Sequence, residues 1–271
     1  MQFSLTGAAL AVLDVPEAER KVARTRAAAA DWRALRISAI GEARPPTRPA
    51  RPVKPVLLPP NRVKKRNVNA GPEGRIALLH ALAHIEFNAI DLAWDIIVRF
   101  TYEDLPRDFY DDWVKVADEE AKHFALLSER LMALGSAYGA LPAHDGLWQI
   151  AEKTADDLLA RLAVVPMVLE ARGLDVTPAM VRKLRDAGDD ASADILQTIY
   201  EEEIGHVTIG RRWFHWLCER RDVAPRATWQ ALVREHFRGP LKPPFNEPGR
   251  QRAGLAADYY LPLASRDRRS G

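Results

Sequence analysis

The chain reads Glu120-Ala-Lys-His123 in one segment and Glu203-Ile-Gly-His206 in another, so a carboxylate precedes an imidazole by three residues twice. On an α-helix, residues three apart lie on one face, about a turn from each other. A lone Glu-x-x-His arises often by chance, but each copy here lies in the middle of a long segment with helical periodicity. The repeat predicts two helices that present the same pair of side chains.

A further glutamate precedes each copy at nearly equal spacing. Glu86 lies 34 residues before Glu120, and Glu170 lies 33 residues before Glu203. One glutamate from each of two helices, with one Glu-x-x-His from each of two others, is the ligand set of ferritin-like dimetal bundles. The sequence therefore predicts a metal site with six ligands: Glu86, Glu120, His123, Glu170, Glu203 and His206.

Apolar residues flank each predicted ligand at helical spacing, so the carboxylates are expected to face a core. A bare buried carboxylate costs several kcal/mol or is neutralised by a raised pKa, and two divalent cations would offset both effects. Carboxylates with imidazoles suit two iron ions, with manganese possible and zinc as a substitute. The alternative is a set of buried salt bridges with incidental histidines, which the symmetric register of six residues makes improbable.

Several residues near the predicted ligands have more than one interpretation. Glu119 is expected to be solvated, and Glu202 to support a ligand. Tyr200 lies one turn before Glu203 and is interpreted as a core tyrosine, a hydrogen-bond donor to a ligand or a redox-active catalytic residue. A polar stripe on the first long helix predicts either an interhelical hydrogen-bond network or support for the ligands, with His84 as a competing ligand. The stripe comprises His80, His84, Asn88, Asp91 and Asp95.

The periodicity predicts an all-α chain, with a ferritin-like four-helix bundle over residues 71–238. A helical extension is expected over residues 1–43, a strap rich in proline and basic residues over 44–70, and a loop-like C-terminal tail over 239–271. The predicted helices run over residues 72–100, 107–134, 146–172 with a kink at Pro166, 178–187, 189–221 and 226–237.

Two connections bear on this prediction. The strap holds seven prolines between residues 44 and 66, so it is expected to be extended, either lying on the surface or tethering nucleic acid. No aromatic residue lies in that range, which weakens the nucleic-acid alternative. Only about ten residues separate the second and third helices, whereas a ferritin-type bundle needs a long crossover there. The third helix is therefore expected to be split or shifted, or the connection to be formed differently.

Composition limits the function classes. The chain has 271 residues, of which 47% are hydrophobic, and a formal net charge of +2, so no global field favours nucleic acid or a membrane surface. Cys218 is the single cysteine, which excludes an intramolecular disulfide. No membrane helix is expected, and the apolar run at residues 5–13 lacks the basic residues of a signal peptide. We therefore expect a cytoplasmic protein with no membrane partner.

These residues resemble an uncharacterised bacterial family with a ferritin-like domain. The likeness rests on Pro72-Glu-Gly-Arg75, His84-Ile-Glu86, the two Glu-x-x-His motifs, Glu170-Ala-Arg-Gly-Leu-Asp175 and Gly239-Pro-Leu-Lys-Pro-Pro-Phe-Asn246. A more distant similarity is to the tRNA-modifying di-iron hydroxylases, which share the ligand pattern. The resemblance implies a ferritin-like fold and assigns no reaction.

Three functions are compatible with the pattern. The first is an oxidoreductase or hydroxylase that activates dioxygen at two metals and acts on an unknown small molecule or RNA, with electrons from a separate reductase. The second is iron handling or peroxide protection without an organic substrate. The third is an RNA-binding module with a structural metal. Arg172 binds a substrate anion or pairs with a carboxylate, and the tail is either a lid or a plain surface strap.

Overall fold

The computed structural model describes residues 4–63 and 71–265. Over these ranges the chain is largely α-helical, and its β-structure is limited to isolated β-bridges. The all-α prediction is confirmed. The chain divides into two compact units, Met1–Glu152 and Lys153–Gly271. The four predicted segments, and the ferritin-like arrangement of the bundle, stay predictions.

The first unit is organised around a pair of long helices. Helix α3 packs along the length of α4, while α1 packs on α3 and α2 packs on α4. Gly135, in the left-handed region with φ of 77°, follows the end of α4, where glycine carries no steric penalty. The helices of this unit are α1 (Leu5–Leu13), α2 (Ala18–Arg33), α3 (Gly71–Arg99), α4 (Arg107–Ala133) and α5 (Gly146–Lys153).

The second unit is organised around the packing of α7 against α8. A π-helical turn, Val165–Glu170, joins α6 to α7 so that one helical rod runs from Leu158 to Asp186. Helix α9 packs on both α6 and α8. The helices are α6 (Leu158–Val164), α7 (Ala171–Asp186), α8 (Asp190–Arg220), α9 (Pro225–His236), α10 (Glu247–Arg252) and α11 (Ala257–Tyr260).

The predicted third helix, residues 146–172, is split, which was one of the expected alternatives, and its predicted end before Gly173 is wrong. It is split between α5 and α6, where the Asp157 side chain caps α6 by accepting from the amide of Leu159. It then continues past Gly173, because buried residues of α7 such as Leu174 and Leu184 outweigh the roughly 1 kcal/mol cost of an internal glycine. Pro166 lies in the π-helical turn, a common site of helix distortion.

The tail is more ordered than the loop predicted from its prolines. It holds α10, α11 and a 3₁₀ turn, Leu261–Leu263. The Asn246 side chain caps α10 by accepting from the amide of Gly249. Short capped turns of this kind lack the long periodic pattern that identifies a helix in sequence, which explains the error.

The described part of the strap is extended apart from a 3₁₀ turn, Pro60–Arg62, and residues 64–70 of the predicted strap lie outside the described residues. Arg48 forms ion pairs with Asp145 and Glu152 of the first unit. Arg51 reaches a buried carboxylate, Asp91, at 2.9 Å. These ion pairs agree with a strap that lies on the first unit, and a nucleic-acid partner stays a prediction.

Helix α3 is long and apolar enough to cross a membrane by length and composition, although no membrane helix was expected. However, 78% of its most apolar window is buried inside the protein. A buried core helix passes the same test, so α3 is weak evidence for a membrane span.

Candidate metal centre

Three predicted ligands converge in the core of the first unit. Glu86 of α3 and Glu120 and His123 of α4 each offer one ligand atom, and these atoms lie within 4.8 Å of one another. Nδ1 of His123 is 3.5 Å from Oε2 of Glu120 and 3.7 Å from Oε2 of Glu86. All three residues are buried, Glu120 and His123 completely. We refer to them as the first-unit triad.

The local sequence explains why these charged groups lie inside. Glu86 follows Ala83 and precedes Phe87 and Ile90, all three fully buried. Ala117, Ala121 and Phe124 surround Glu120 in the same way on α4. Because an apolar stripe at helical spacing must face the core, the backbone carries the ligands inward with it.

The geometry of the first-unit triad fits a divalent cation. Two ligands bound to one ion at about 2.1 Å each stand about 3 to 4 Å apart, which is the separation of His123 Nδ1 from both carboxylates. Carboxylate oxygens and imidazole nitrogen are also the donor set that iron, manganese and zinc accept. A buried cluster of this composition could therefore hold a metal ion.

The second unit carries the matching pair on α8. Nδ1 of His206 is 3.6 Å from Oε2 of Glu203, close to the 3.5 Å between His123 and Glu120. His206 is fully buried and Glu203 is nearly so. Within each Glu-x-x-His motif, Nδ1 of the histidine therefore lies at a similar distance from Oε2 of the glutamate, as equal spacing on two helices requires.

Glu170 is the last residue of the π-helical turn and is half-buried. It lies inside the rod formed by α6 and α7, not near a helix end as the predicted stop at Gly173 implied. Among the described residues of the second unit, no three ligand atoms come as close together as those of the first-unit triad. Its membership of a six-residue site stays a prediction.

The polar stripe of α3 forms a hydrogen-bond network with loops and N-terminal segments. His84 has Tyr138 Oη at 2.9 Å from Nδ1 and the His144 carbonyl at 3.1 Å from Nε2. The carbonyl accepts from Nε2, so the tyrosine donates to Nδ1, and burial lowers the pKa of His84 to about 4. Both ring nitrogens of His84 are thus engaged in hydrogen bonds, and its role as a competing ligand stays a prediction. Nε2 of His80 accepts from the amide of Gly139 at 2.9 Å.

Further along the stripe, Asp91 is fully buried and pairs with Lys21 of α2, which is also fully buried. Lys21 and Arg51 are partners of the stripe that its sequence pattern does not indicate. The available signal was Lys21 itself, since it shares one face of α2 with Thr25, Ala28 and Trp32, which are all buried. An isolated charge on an apolar face calls for a buried opposite charge.

Tyr200 is half-buried, and its hydroxyl accepts a 2.9 Å hydrogen bond from Nδ2 of Asn246 in the tail. This contact gives Tyr200 a structural role, while a catalytic role stays a prediction.

Glu119 is only partly exposed and pairs with Lys115 at 2.6 Å. Glu202 is also half-buried. Burial raises the pKa of Cys218 to about 11, so its thiol is neutral at physiological pH.

The family model described as "Protein of unknown function (DUF455)" matches residues 14–261. A protein of Haemophilus influenzae described as uncharacterized is 44% identical over 209 residues, covering 75% of this chain and 72% of the relative. No solved structure matches the chain significantly. The match spans both units and all six predicted ligands, and the chain belongs to the DUF455 family of proteins of unknown function.

Proposed function

We propose that this protein is a non-haem dimetal carboxylate oxidoreductase, with two iron or manganese ions, that activates dioxygen to oxidise or hydroxylate a substrate. The observation that carries the proposal is the buried first-unit triad, together with the repetition of its Glu-x-x-His geometry by Glu203 and His206. In the proposal the second unit supplies the other ligands of the centre, including Glu170.

The side chains of the triad have distinct roles in this proposal. Glu86 and Glu120 neutralise the charge of the cation, and Nδ1 of His123 adds a nitrogen ligand from the same face of α4 as Glu120. Burial of all three excludes water and restrains their rotamers, which favours a fixed coordination geometry. When bound, the metal pair would supply the redox chemistry that oxygen activation requires. An external reductase would supply electrons, since the sequence carries no glycine-rich nucleotide motif.

A matched pair of variants tests the first unit. Glu120→Gln removes a buried carboxylate of the triad, whereas Glu119→Gln removes the partly exposed neighbour that pairs with Lys115. We expect about two metal ions per wild-type chain by elemental analysis. Glu120→Gln should bind metal with at least tenfold lower affinity than the wild type, and Glu119→Gln should keep the wild-type affinity. After anaerobic loading with ferrous iron, the wild type should consume dioxygen faster than Glu120→Gln.

The second unit has an equivalent pair. Glu203→Gln alters the predicted ligand, while Glu201→Gln alters an exposed residue that pairs with Arg252. Reduced metal content in Glu203→Gln alone supports a centre that uses both units. Equal metal content in all four variants and the wild type would overturn the proposed centre. Uptake of many irons per chain into a large assembly would instead favour iron storage and contradict the oxidoreductase.

A further inference from the structure

The second unit contains a cavity of about 220 Å³ between α7 and the C-terminal tail. Apolar side chains form part of its lining, among them Val168, Leu169, Phe237 and Phe245. Its polar lining is strongly cationic, with four basic side chains and one carboxylate: Arg172, Arg238, Lys242, Arg250 and Asp175. None of the predicted metal ligands lines it. A concave apolar site with a few convergent polar groups is the usual form of a small-ligand site.

Arg250 is the most deeply buried of the basic side chains that line this cavity. It is only 3% exposed, and its guanidinium packs against the rings of Phe245 and Tyr260. Nε and Nη2 each donate a 2.8 Å hydrogen bond to Asp175, so one edge of the planar guanidinium is satisfied. Nη1 is buried and makes no hydrogen bond to any residue in the described ranges. A buried donor left in this state is costly, and an acceptor would remove the cost.

The charge balance of the cavity also favours an anion. Arg250 engages both oxygens of Asp175, which also accepts from the backbone amide of Asn246. Arg238 and Lys242 are exposed side chains that form no ion pair with a residue that the structure describes. Basic charge therefore exceeds acidic charge around the cavity by three.

Arg172 fixes the shape of the cavity. Its Nη1 donates to the carbonyls of Lys242 at 2.7 Å and Pro244 at 3.0 Å, and lies 3.4 Å from Oδ2 of Asp175. These bonds hold the tail against α7 and place Lys242 at the cavity. The predicted pairing of Arg172 with a carboxylate is thus present, and Arg172 also organises the tail.

We infer that this cavity binds a small organic anion whose phosphate or carboxylate accepts from Nη1 of Arg250 and whose apolar part contacts Phe237 and Phe245. The planar guanidinium suits either head group, because both present acceptor oxygens to its donors. The inference does not depend on the metal centre.

Calorimetric titration of the full chain with phenyl phosphate, benzoate and inorganic phosphate tests it. We expect saturable binding of phenyl phosphate or benzoate, whichever head group fits, and weaker binding of inorganic phosphate, which lacks the apolar part. Phenol, which has the ring without the charge, should not bind measurably. Absence of binding by both phenyl phosphate and benzoate would overturn the inference.

Two variants and a control locate the binding. Arg250→Lys keeps the charge but removes the planar fork, and should weaken binding about tenfold. Arg238→Gln/Lys242→Gln removes two exposed charges without disturbing Asp175, and should weaken binding about threefold or more, so the test stands even if Arg250→Lys fails to fold. Arg182→Gln/Lys183→Gln removes two exposed charges elsewhere on α7 and should leave affinity unchanged. Equal weakening by both double variants would show nonspecific charge attraction and overturn the site.

Discussion

The buried ion pair between Lys21 of α2 and Asp91 of α3 joins parts of the first unit that are distant in sequence. Both side chains are fully buried, and Nζ of Lys21 lies 5.2 Å from the centroid of the Phe87 ring. Burial lowers the pKa of Lys21 and raises that of Asp91, while their attraction opposes both shifts. Arg51 also pairs with Asp91 at 2.9 Å, so removal of Lys21 leaves the buried carboxylate with only one of its two cationic partners.

We therefore expect Lys21→Met to lower the free energy of unfolding by about 2 kcal/mol, measured by urea denaturation, since Arg51 still compensates part of the charge of Asp91. The control is Arg20→Met, which removes the adjacent basic residue whose exposed pair with Glu17 is worth less than about 1 kcal/mol. Lys21→Met/Asp91→Leu should recover part of the loss, since no buried carboxylate then lacks a partner, while Arg51 is partly exposed and keeps its hydrogen bond to Asn88. Similar losses for Lys21→Met and Arg20→Met would contradict this account.

His215 of α8 gives a pH-dependent prediction. Burial, with a smaller contribution from Arg211, lowers the pKa of His215 below 6.5, and the Tyr259 hydroxyl lies 2.9 Å from its Nε2. Below pH 6.5 the unfolded chain then binds more protons at this site than the folded chain, so this group makes stability fall as the pH decreases. In His215→Gln, the urea midpoint should therefore decrease less between about pH 7 and 5 than it does in the wild type. A His215 pKa above 6.5 by NMR titration would reverse the sign.

At the scale of elements, the packing of α8 on the π-helical turn depends on Gly210. A Cβ at this position would clash with the side chain of Pro166. The glycine therefore permits the two elements to approach, although glycine is unfavourable inside a helix. Pro166, which lacks an amide donor, lies where the backbone has already departed from regular α-helical bonding.

We expect Gly210→Ala to destabilise the protein by about 1 to 3 kcal/mol through overpacking, despite the better helix propensity of alanine. Gly205→Ala is a matched control on the same helix, because its Cβ would meet nothing within 4 Å. That variant should be neutral or stabilised by up to about 1 kcal/mol in thermal unfolding. Equal effects of the two substitutions would show that Pro166 yields without cost.

At the scale of the whole molecule, the proposed metal ions should stabilise the chain by mass action. Metal present at about 100 times its dissociation constant contributes about 2.7 kcal/mol, which corresponds to a rise of several degrees in Tm. A chelator should therefore lower the Tm of the metal-loaded wild type in calorimetry by more than it lowers the Tm of Glu120→Gln. A chelator-insensitive Tm of metal-loaded protein would contradict a metal that binds the folded state selectively.

The helices that carry Glu86, Glu120 and His123, and the register of these three residues, could be predicted from the sequence. Both follow from a local rule, since a 3.6-residue period decides which side chains share a face. The bounds of α3 and α4 accordingly fall within a residue of those predicted.

Which distant atoms meet depends on the tertiary structure. The partners of Asp91 and His84, and the continuation of α7 through Gly173, depend on contacts that local sequence does not encode. The cationic cavity arises in the same way, because the fold of the second unit brings Arg172 of α7 and Arg250 of the tail to one carboxylate, Asp175. Burial and charge pairing act between residues far apart in the chain, so they override local propensity at these places.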